Sequence, residues 1–208
     1  MIGGLYAITR ETDDTAQLLR EVSAALNGGA SAVQYRDKSG DAARQHEQAS
    51  ELLMLCQRHA VPLIINDSLR LADLVGADGV HLGRDDGAVR EARIILGAQR
   101  IIGVSCYQSL ELALAAQVAG ADYVAFGSFY PSTTKPDAPR ADLALLQQGS
   151  GVLQLPIVAI GGITPDNAEP LIEAGADAIA VIDALFGAPD IQATARRFAE
   201  LFIAETED

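Results

Sequence analysis

Apolar residues in this chain gather into short unbroken runs near 4–9, 32–36, 62–66, 79–82, 101–105, 123–127, 156–160 and 178–182. The runs are rich in Val and Ile and show no alternation, the pattern of strands covered on both faces, as in a parallel sheet. Amphipathic stretches lie between them, near 13–27, 41–59, 68–75, 86–96, 109–119, 141–148, 165–174 and 190–204, and predict helices. Local chemistry agrees: Ser109, with Glu111 nearby, suits a cap for LELALAAQ, and Thr164-Pro165 offers Pro at a first helical position. An internal echo sets the rhythm. GGAS (28–31), VGAD (75–78), AGAD (119–122) and AGAD (174–177) each close a helical stretch and lead at once into an apolar run. Glycine in that slot is a helix stop signal.

Strand and helix alternating eight times predict an α/β fold, a (β/α)8 barrel occupying 1–208 as one domain. At 208 residues the chain is near the small end for that fold. A doubly wound open sheet is the alternative, but it would normally show fewer strands at this length.

The runs are asymmetric. They finish in QYRDK (34–38), NDS (66–68), HLGRDD (81–86), VSC (104–106), FGSFYPSTTK (126–135), IGGIT (160–164) and VID (181–183). Strands that open into charged, hydroxyl or glycine residues at one end only predict a barrel with its site on that rim.

Composition narrows the partners. A net charge of −13 argues against nucleic acid, whose phosphate backbone needs a basic face. Small phosphorylated ligands remain possible, because Arg36, Lys38 and Lys135 stand at strand ends. No apolar stretch approaches a membrane span, and the N-terminus MIGGLYAIT lacks a signal-peptide pattern. Two cysteines make no disulfide framework, so a reducing, cytoplasmic setting is expected.

Candidate chemistry follows the rim. Asp67 and Asp86 fall in adjacent barrel loops, where two carboxylates can share one Mg2+ with waters and phosphate oxygens. Alternatively each caps the helix behind it. Asn66 and Asp85 beside them favour metal. In QYRDK, Gln34, Arg36 and Lys38 alternate, so an extended chain would aim them together at a diphosphate; the interleaved Asp37 leaves a solvated turn as the other reading. The stretch 126–141 has neither helical nor strand periodicity and carries Ser128, Ser132, Thr133, Thr134 and Lys135; so long a loop usually has a function. AIGGIT (159–164) suits phosphate binding by backbone N–H groups. His81, with no nucleophile paired to it, reads as a packed barrel histidine. His46 and His59 read as outer-face residues, and Cys106 as structural.

QYRDK, IINDS, DGVHLGRDD, IIGVS, FGSFYPSTTKPDA and AIGGIT, in this order and spacing, resemble the thiamine-phosphate synthase family from about Leu5 to Phe202. The resemblance implies coupling of hydroxymethylpyrimidine diphosphate to a thiazole phosphate, giving thiamine phosphate and pyrophosphate, with carbon dioxide lost when the thiazole is carboxylated. It implies that Gln34, Arg36, Lys38 and Asn66 hold the pyrimidine diphosphate, that Asp67 and Asp86 bind Mg2+, and that Ser105 contacts the pyrimidine. Ser132 and Thr134 would hold the thiazole phosphate and Lys135 the diphosphate. Gly162 and the backbone at Ile182 and Asp183 would bind the thiazole's phosphate. Arg36, Lys38 and Lys135 would be the catalytic cations, and a homo-oligomer is possible. Two positions depart from the family pattern. Ser132 stands where Thr is common and keeps the hydroxyl. Asp183 stands where Ser is common, so either its amide alone binds phosphate with the side chain turned away, or phosphate binds elsewhere. A thiazole tautomerase-like relative and a non-catalytic sensor of a phosphorylated ligand are the alternatives; the retained diphosphate and metal residues speak against both.

Overall fold

A computed structural model describes residues 2–83, 88–131 and 139–203. The expected strands appear as β1 (Gly4–Ile8), β2 (Ala30–Tyr35), β3 (Leu63–Asn66), β4 (Gly79–Leu82), β5 (Ile101–Tyr107), β6 (Tyr123–Gly127), β7 (Ile157–Ile160) and β8 (Ala178–Val181). All neighbours pair in parallel and in chain order, and β8 closes on β1. Closure removes every sheet edge and rules out the open doubly wound sheet. The helices are α1 (Thr15–Asn27), α2 (Ala42–Arg58), α3 (Leu69–Val75), α4 (Val89–Leu96), α5 (Leu110–Ala119), α6 (Leu143–Val152), α7 (Glu169–Glu173), α8 (Asp183–Phe186) and α9 (Ile191–Glu200). No described helix is long and apolar enough to cross a membrane.

Strand period two divides the packing into two cores. Leu63, Val80, Val124 and Ile179 face outward, where they pack with Leu18, Leu52, Leu146 and Phe198 of the helices. Tyr6, Ile8, Ala32, Ile64, Tyr123, Val158 and Ala180 face the barrel axis. Small residues inside make room for large ones. A Cβ added to Gly103 would lie 1.9 Å from Cζ of Tyr123, so the tyrosine ring occupies the space the glycine leaves.

The internal echo has a physical purpose that periodicity alone does not show. Its glycines include left-handed helix stops at Gly76 (φ 71°) and Gly120 (φ 96°). The aspartates that close three of the repeats then bind the start of the preceding strand. Asp78, Asp122 and Asp177 accept the backbone N–H of Leu63, Ile102 and Ile157 at 2.9, 2.7 and 2.7 Å. These contacts tie β3, β5 and β7 at the rim opposite the polar one, where stability rather than chemistry is expected.

Two elements differ from the sequence pattern. The helix expected over 165–174 shortens to α7, because Asn167 folds the preceding residues into a turn. Its Oδ1 accepts Thr164 N–H at 2.8 Å and its Nδ2 donates to the Gly162 carbonyl at 3.2 Å. Pro165 therefore lies in that turn, and Pro170 takes the first turn of the helix. The short α8 is not visible as periodicity, since one turn is shorter than the repeat that marks a helix. The other caps follow local chemistry, with Ser109 Oγ accepting Leu112 N–H at 3.2 Å.

Candidate active site

At the C-terminal ends of the strands the barrel opens into a cavity of about 460 Å3, within the size range of small-molecule sites. Arg36, Asn66 and Ser105 line one side; Gly161, Gly162, Ile182 and Asp183 line the other. Gln34, His81 and Tyr6 form part of the floor. Strand geometry explains this sorting. Gln34, Asn66, His81 and Ser105 hold inward positions on β2–β5, and the register sets Asn66 beside His81.

QYRDK does not act as one extended comb. Gln34 is an inward strand residue, 3% exposed, and Arg36 lines the cavity just past the end of β2. Alternation stops there, because β2 ends at Tyr35. Lys38 is outside the cavity lining, and its ammonium pairs with the Asp67 carboxylate. This corrects the expected common orientation of Gln34, Arg36 and Lys38. The interleaved Asp37 is not a solvated charge either. Its side chain is 1% exposed, and its carboxylate accepts from Tyr35 Oη at 3.2 Å, Ser39 N–H at 2.7 Å and Arg44 Nε at 3.2 Å. Burial opposes its ionisation, but hydrogen bonds from Ser39 and the Arg44 guanidinium outweigh burial and hold the acid below its usual range. Asp37 thus braces the turn that carries the two cations. Two more contacts fix the turn's backbone: Arg36 N–H donates to Thr9 Oγ1 and Lys38 N–H to Glu11 Oε2, both at 2.9 Å.

Asp67 is not a helix cap. Ser68 caps α3, its hydroxyl accepting Leu71 N–H at 3.1 Å. Asp67 itself has φ 63°, and Ser68 N–H donates to the Asn66 carbonyl at 2.7 Å across it. Such a one-residue turn is strained for a non-glycine residue, by roughly 1–3 kcal/mol. Its amide also donates to the His81 carbonyl at 2.8 Å, which ties the turn to β4. The N-cap of α4 is Ala88, with no side-chain cap bond. Asp86 itself, like Ser132, Thr134 and Lys135, lies outside the described residues. Among the described residues no three His, Cys, Asp or Glu side chains gather as a metal cluster.

On the far side, both glycines of IGGIT sit against the start of the loop after β6. Gly162 has φ 66°, and a Cβ there would lie 2.2 Å from the Pro131 carbonyl oxygen. Phe129 and Tyr130 N–H donate to the Ile160 and Gly161 carbonyls at 3.2 and 2.9 Å, which seats the loop on β7. Gln108 Nε2 donates to the Gly127 carbonyl at 2.6 Å and the Pro139 carbonyl at 2.8 Å, clasping both described ends of that loop.

The chain's similarities to known proteins bear on this arrangement. Residues 5–185 match the family model described as thiamine monophosphate synthase. The chain belongs to that family. The thiamine-phosphate synthase of Thiobacillus denitrificans is 68% identical over 206 residues, covering 99% of this chain and 98% of the relative. That of Methylobacillus flagellatus is 57% identical, covering 97% and 96%. The structure of the thiamine phosphate pyrophosphorylase from Pyrococcus furiosus superposes with a TM-score of 0.87 at 34% identity, covering 98% of this chain and 96% of that one.

Asp183 stands where the resemblance leads one to expect Ser in a thiamine monophosphate synthase. It opens α8 directly after Ile182, and its residue surface is exposed. His81 is packed, as expected, with Nδ1 2.8 Å from Tyr123 Oη and Nε2 2.8 Å from Ser105 Oγ. Cys56 and Cys106 are buried, and burial pushes both thiols up to about 12, with Asp78 adding to the shift at Cys56. Neither is a nucleophile at neutral pH.

Residue-type reasoning overlooks Tyr6, Tyr107 and Gln108 in the cavity wall. Tyr6 carried a usable signal: a phenol inside an apolar strand must find a hydrogen-bond partner.

Proposed function

We propose that this chain couples 4-amino-2-methyl-5-(diphosphooxymethyl)pyrimidine to a thiazole phosphate, releasing thiamine phosphate and pyrophosphate. The observation that carries the reading is the two-sided cavity. One wall offers the Arg36 guanidinium, the Asn66 amide and the Ser105 hydroxyl; the other offers the glycine turn at 161–162 and the start of α8. Family membership supports the same assignment.

The residue types suit a dissociative route. The bond between the pyrimidine CH2 carbon and the diphosphate oxygen breaks, its electron pair leaving with pyrophosphate. The cation left behind is stabilised by its amino-substituted ring. The thiazole nitrogen lone pair then forms the new C–N bond, and with a carboxylated thiazole, carbon dioxide leaves as well. No protein nucleophile is needed. Arg36, Lys38 and Lys135 would stabilise charge on the departing diphosphate, while Gln34 and Asn66 orient the pyrimidine end. Ser132, Thr134, Gly162 and the amides at Ile182 and Asp183 would hold the thiazole phosphate in line.

Mg2+ is part of this proposal. The donors fit it: Asp67 is a hard oxygen ligand at the rim, Asn66 is adjacent, and Asp86 follows β4 in the next loop. Mg2+ is usually held by one or two carboxylates and completed by water and substrate phosphate. When bound, it would supply further positive charge to the leaving group.

Pyrophosphate release is the direct test. Release that requires both substrates and Mg2+ supports the reading. Release from the pyrimidine diphosphate alone would make the chain a hydrolase, and none at saturation would reject the assignment.

A further inference from the structure

Five polar side chains from five strands meet in the barrel interior, beneath and beside the cavity. Gln34 Nε2 donates to Tyr6 Oη at 3.0 Å. Tyr6 Oη lies 2.8 Å from Tyr123 Oη. Tyr123 Oη lies 2.8 Å from His81 Nδ1, and His81 Nε2 lies 2.8 Å from Ser105 Oγ. Tyr6 and Tyr123 are 1% and 0% exposed, so water does not complete their bonding. The rings are also held by packing. Tyr6 meets Tyr123 edge-on at 5.9 Å between centroids, and His81 stacks on Tyr123 at 5.5 Å.

With Gln34 donating through Nε2, proton counting gives this chain one direction. Tyr6 Oη receives a proton from Gln34, so its own proton has one acceptor among its partners, Tyr123 Oη. Tyr123 Oη, already accepting, must donate to His81 Nδ1. That nitrogen is then bare, the proton of the neutral ring sits on Nε2, and Nε2 donates to Ser105 Oγ. An imidazolium would break the sequence: it would donate to Tyr123, force Tyr123 to donate to Tyr6, and leave the buried Tyr6 proton without an acceptor. Ser105 closes the series at the cavity wall, accepting from His81 and keeping its own proton to give. Burial, first of all, raises the Tyr6 and Tyr123 phenols well above their ordinary range, so both keep their protons.

We propose that Gln34, Tyr6, Tyr123, His81 and Ser105 form a one-way hydrogen-bond relay that fixes His81 as its Nε2–H tautomer and presents the Ser105 hydroxyl as a donor to the cavity. Tyr6, in the cavity floor, and Tyr123, outside the cavity lining, are then positioning residues for Ser105. The relay also defines what Ser105 offers to the cavity: its proton, which suits a bare lone pair such as that of a heteroaromatic ring nitrogen. This last step rests on the proposed function, in which a pyrimidine lies against Ser105. The relay itself does not.

The test is therefore in two arms. In the first, the ligand-free protein is labelled with 15N-histidine and long-range 1H–15N spectra are recorded; substitution of the exposed His46 and His59 by Gln leaves His81 as the one remaining signal. The relay requires the Nε2–H tautomer in the unsubstituted ring environment, and Tyr123→Phe, which keeps the ring stack but removes the donor to Nδ1, should convert it to a mixture of tautomers. An Nδ1–H tautomer in the parent, or an unchanged pattern in Y123F, overturns the relay. If Y123F fails to fold, the parent spectrum still decides the direction. In the second arm, a pyrimidine diphosphate in which CH replaces one ring nitrogen at a time is assayed. Replacement of the nitrogen facing Ser105 should lower kcat/KM by about tenfold or more in the parent, and by much less in Ser105→Ala. Equal losses in the two proteins would reject Ser105 as the selecting donor while leaving the coupling activity in place.

Discussion

The Lys38 ammonium pairs with the Asp67 carboxylate across the rims of β2 and β3. The proposed metal ligand is thus engaged by the proposed diphosphate ligand. Substrate and Mg2+ would separate the pair, each taking one partner. Lys38 is 55% exposed, so the pair is worth at most about 1 kcal/mol. Lys38→Ala should therefore tighten Mg2+ binding to the substrate-free protein up to about fivefold, yet lower kcat by about tenfold to a hundredfold through lost charge on the leaving group. Calorimetric Mg2+ titration checks the first part. An unchanged or weaker titration would remove Asp67 from the metal site.

Asp37 should make stability depend on acid. Its folded-state pKa is lowered from the ordinary value of 3.8, so its contribution is complete above that value and is lost as pH falls through the folded value. Asp37→Asn should lower the melting temperature at pH 7, with the gap to the parent narrowing as pH falls below 3.8. A gap that stays constant between these conditions would mean that the carboxylate's charge is not what braces the turn.

These two cases show what the sequence made legible. Strand number, order and polar rim are readable because a parallel barrel buries its strands on both faces, which writes continuous apolar runs. The candidate residues at Arg36, Asn66, Ser105 and Gly162 are readable because each ends such a run or lies within two residues of its end, and each lines the cavity. Side-chain direction past a strand end is not readable, since alternation applies only to extended backbone; Lys38 turns to Asp67 for that reason. Asp37 could not be sorted from a solvated charge without its partner Arg44, seven residues on. The bonds from Tyr6 to Tyr123 and from Tyr123 to His81 join residues far apart in the chain, and no local pattern records them.

Gly162 is held by both conformation and space. Alanine there combines a left-handed backbone, φ 66°, with a contact of 2.2 Å to the Pro131 carbonyl. Gly40 is the control, having φ 77° and open space around it. Gly40→Ala should cost about 1–2 kcal/mol of stability and leave the KM for thiazole phosphate unchanged. Gly162→Ala should in addition displace the Tyr130–Pro131 segment and raise that KM at least tenfold. Similar KM values for the two variants would show that the close approach at Gly162 has no part in phosphate binding.

Formation of thiamine phosphate by the purified protein is the decisive observation. The protein is incubated with the pyrimidine diphosphate, thiazole phosphate and Mg2+, and the products are separated and identified by mass. One thiamine phosphate should appear for each pyrophosphate released, with loss of product when either substrate is omitted or when Mg2+ is chelated. Absence of thiamine phosphate at saturating concentrations of both substrates and metal would contradict the assignment of this cavity as a coupling site.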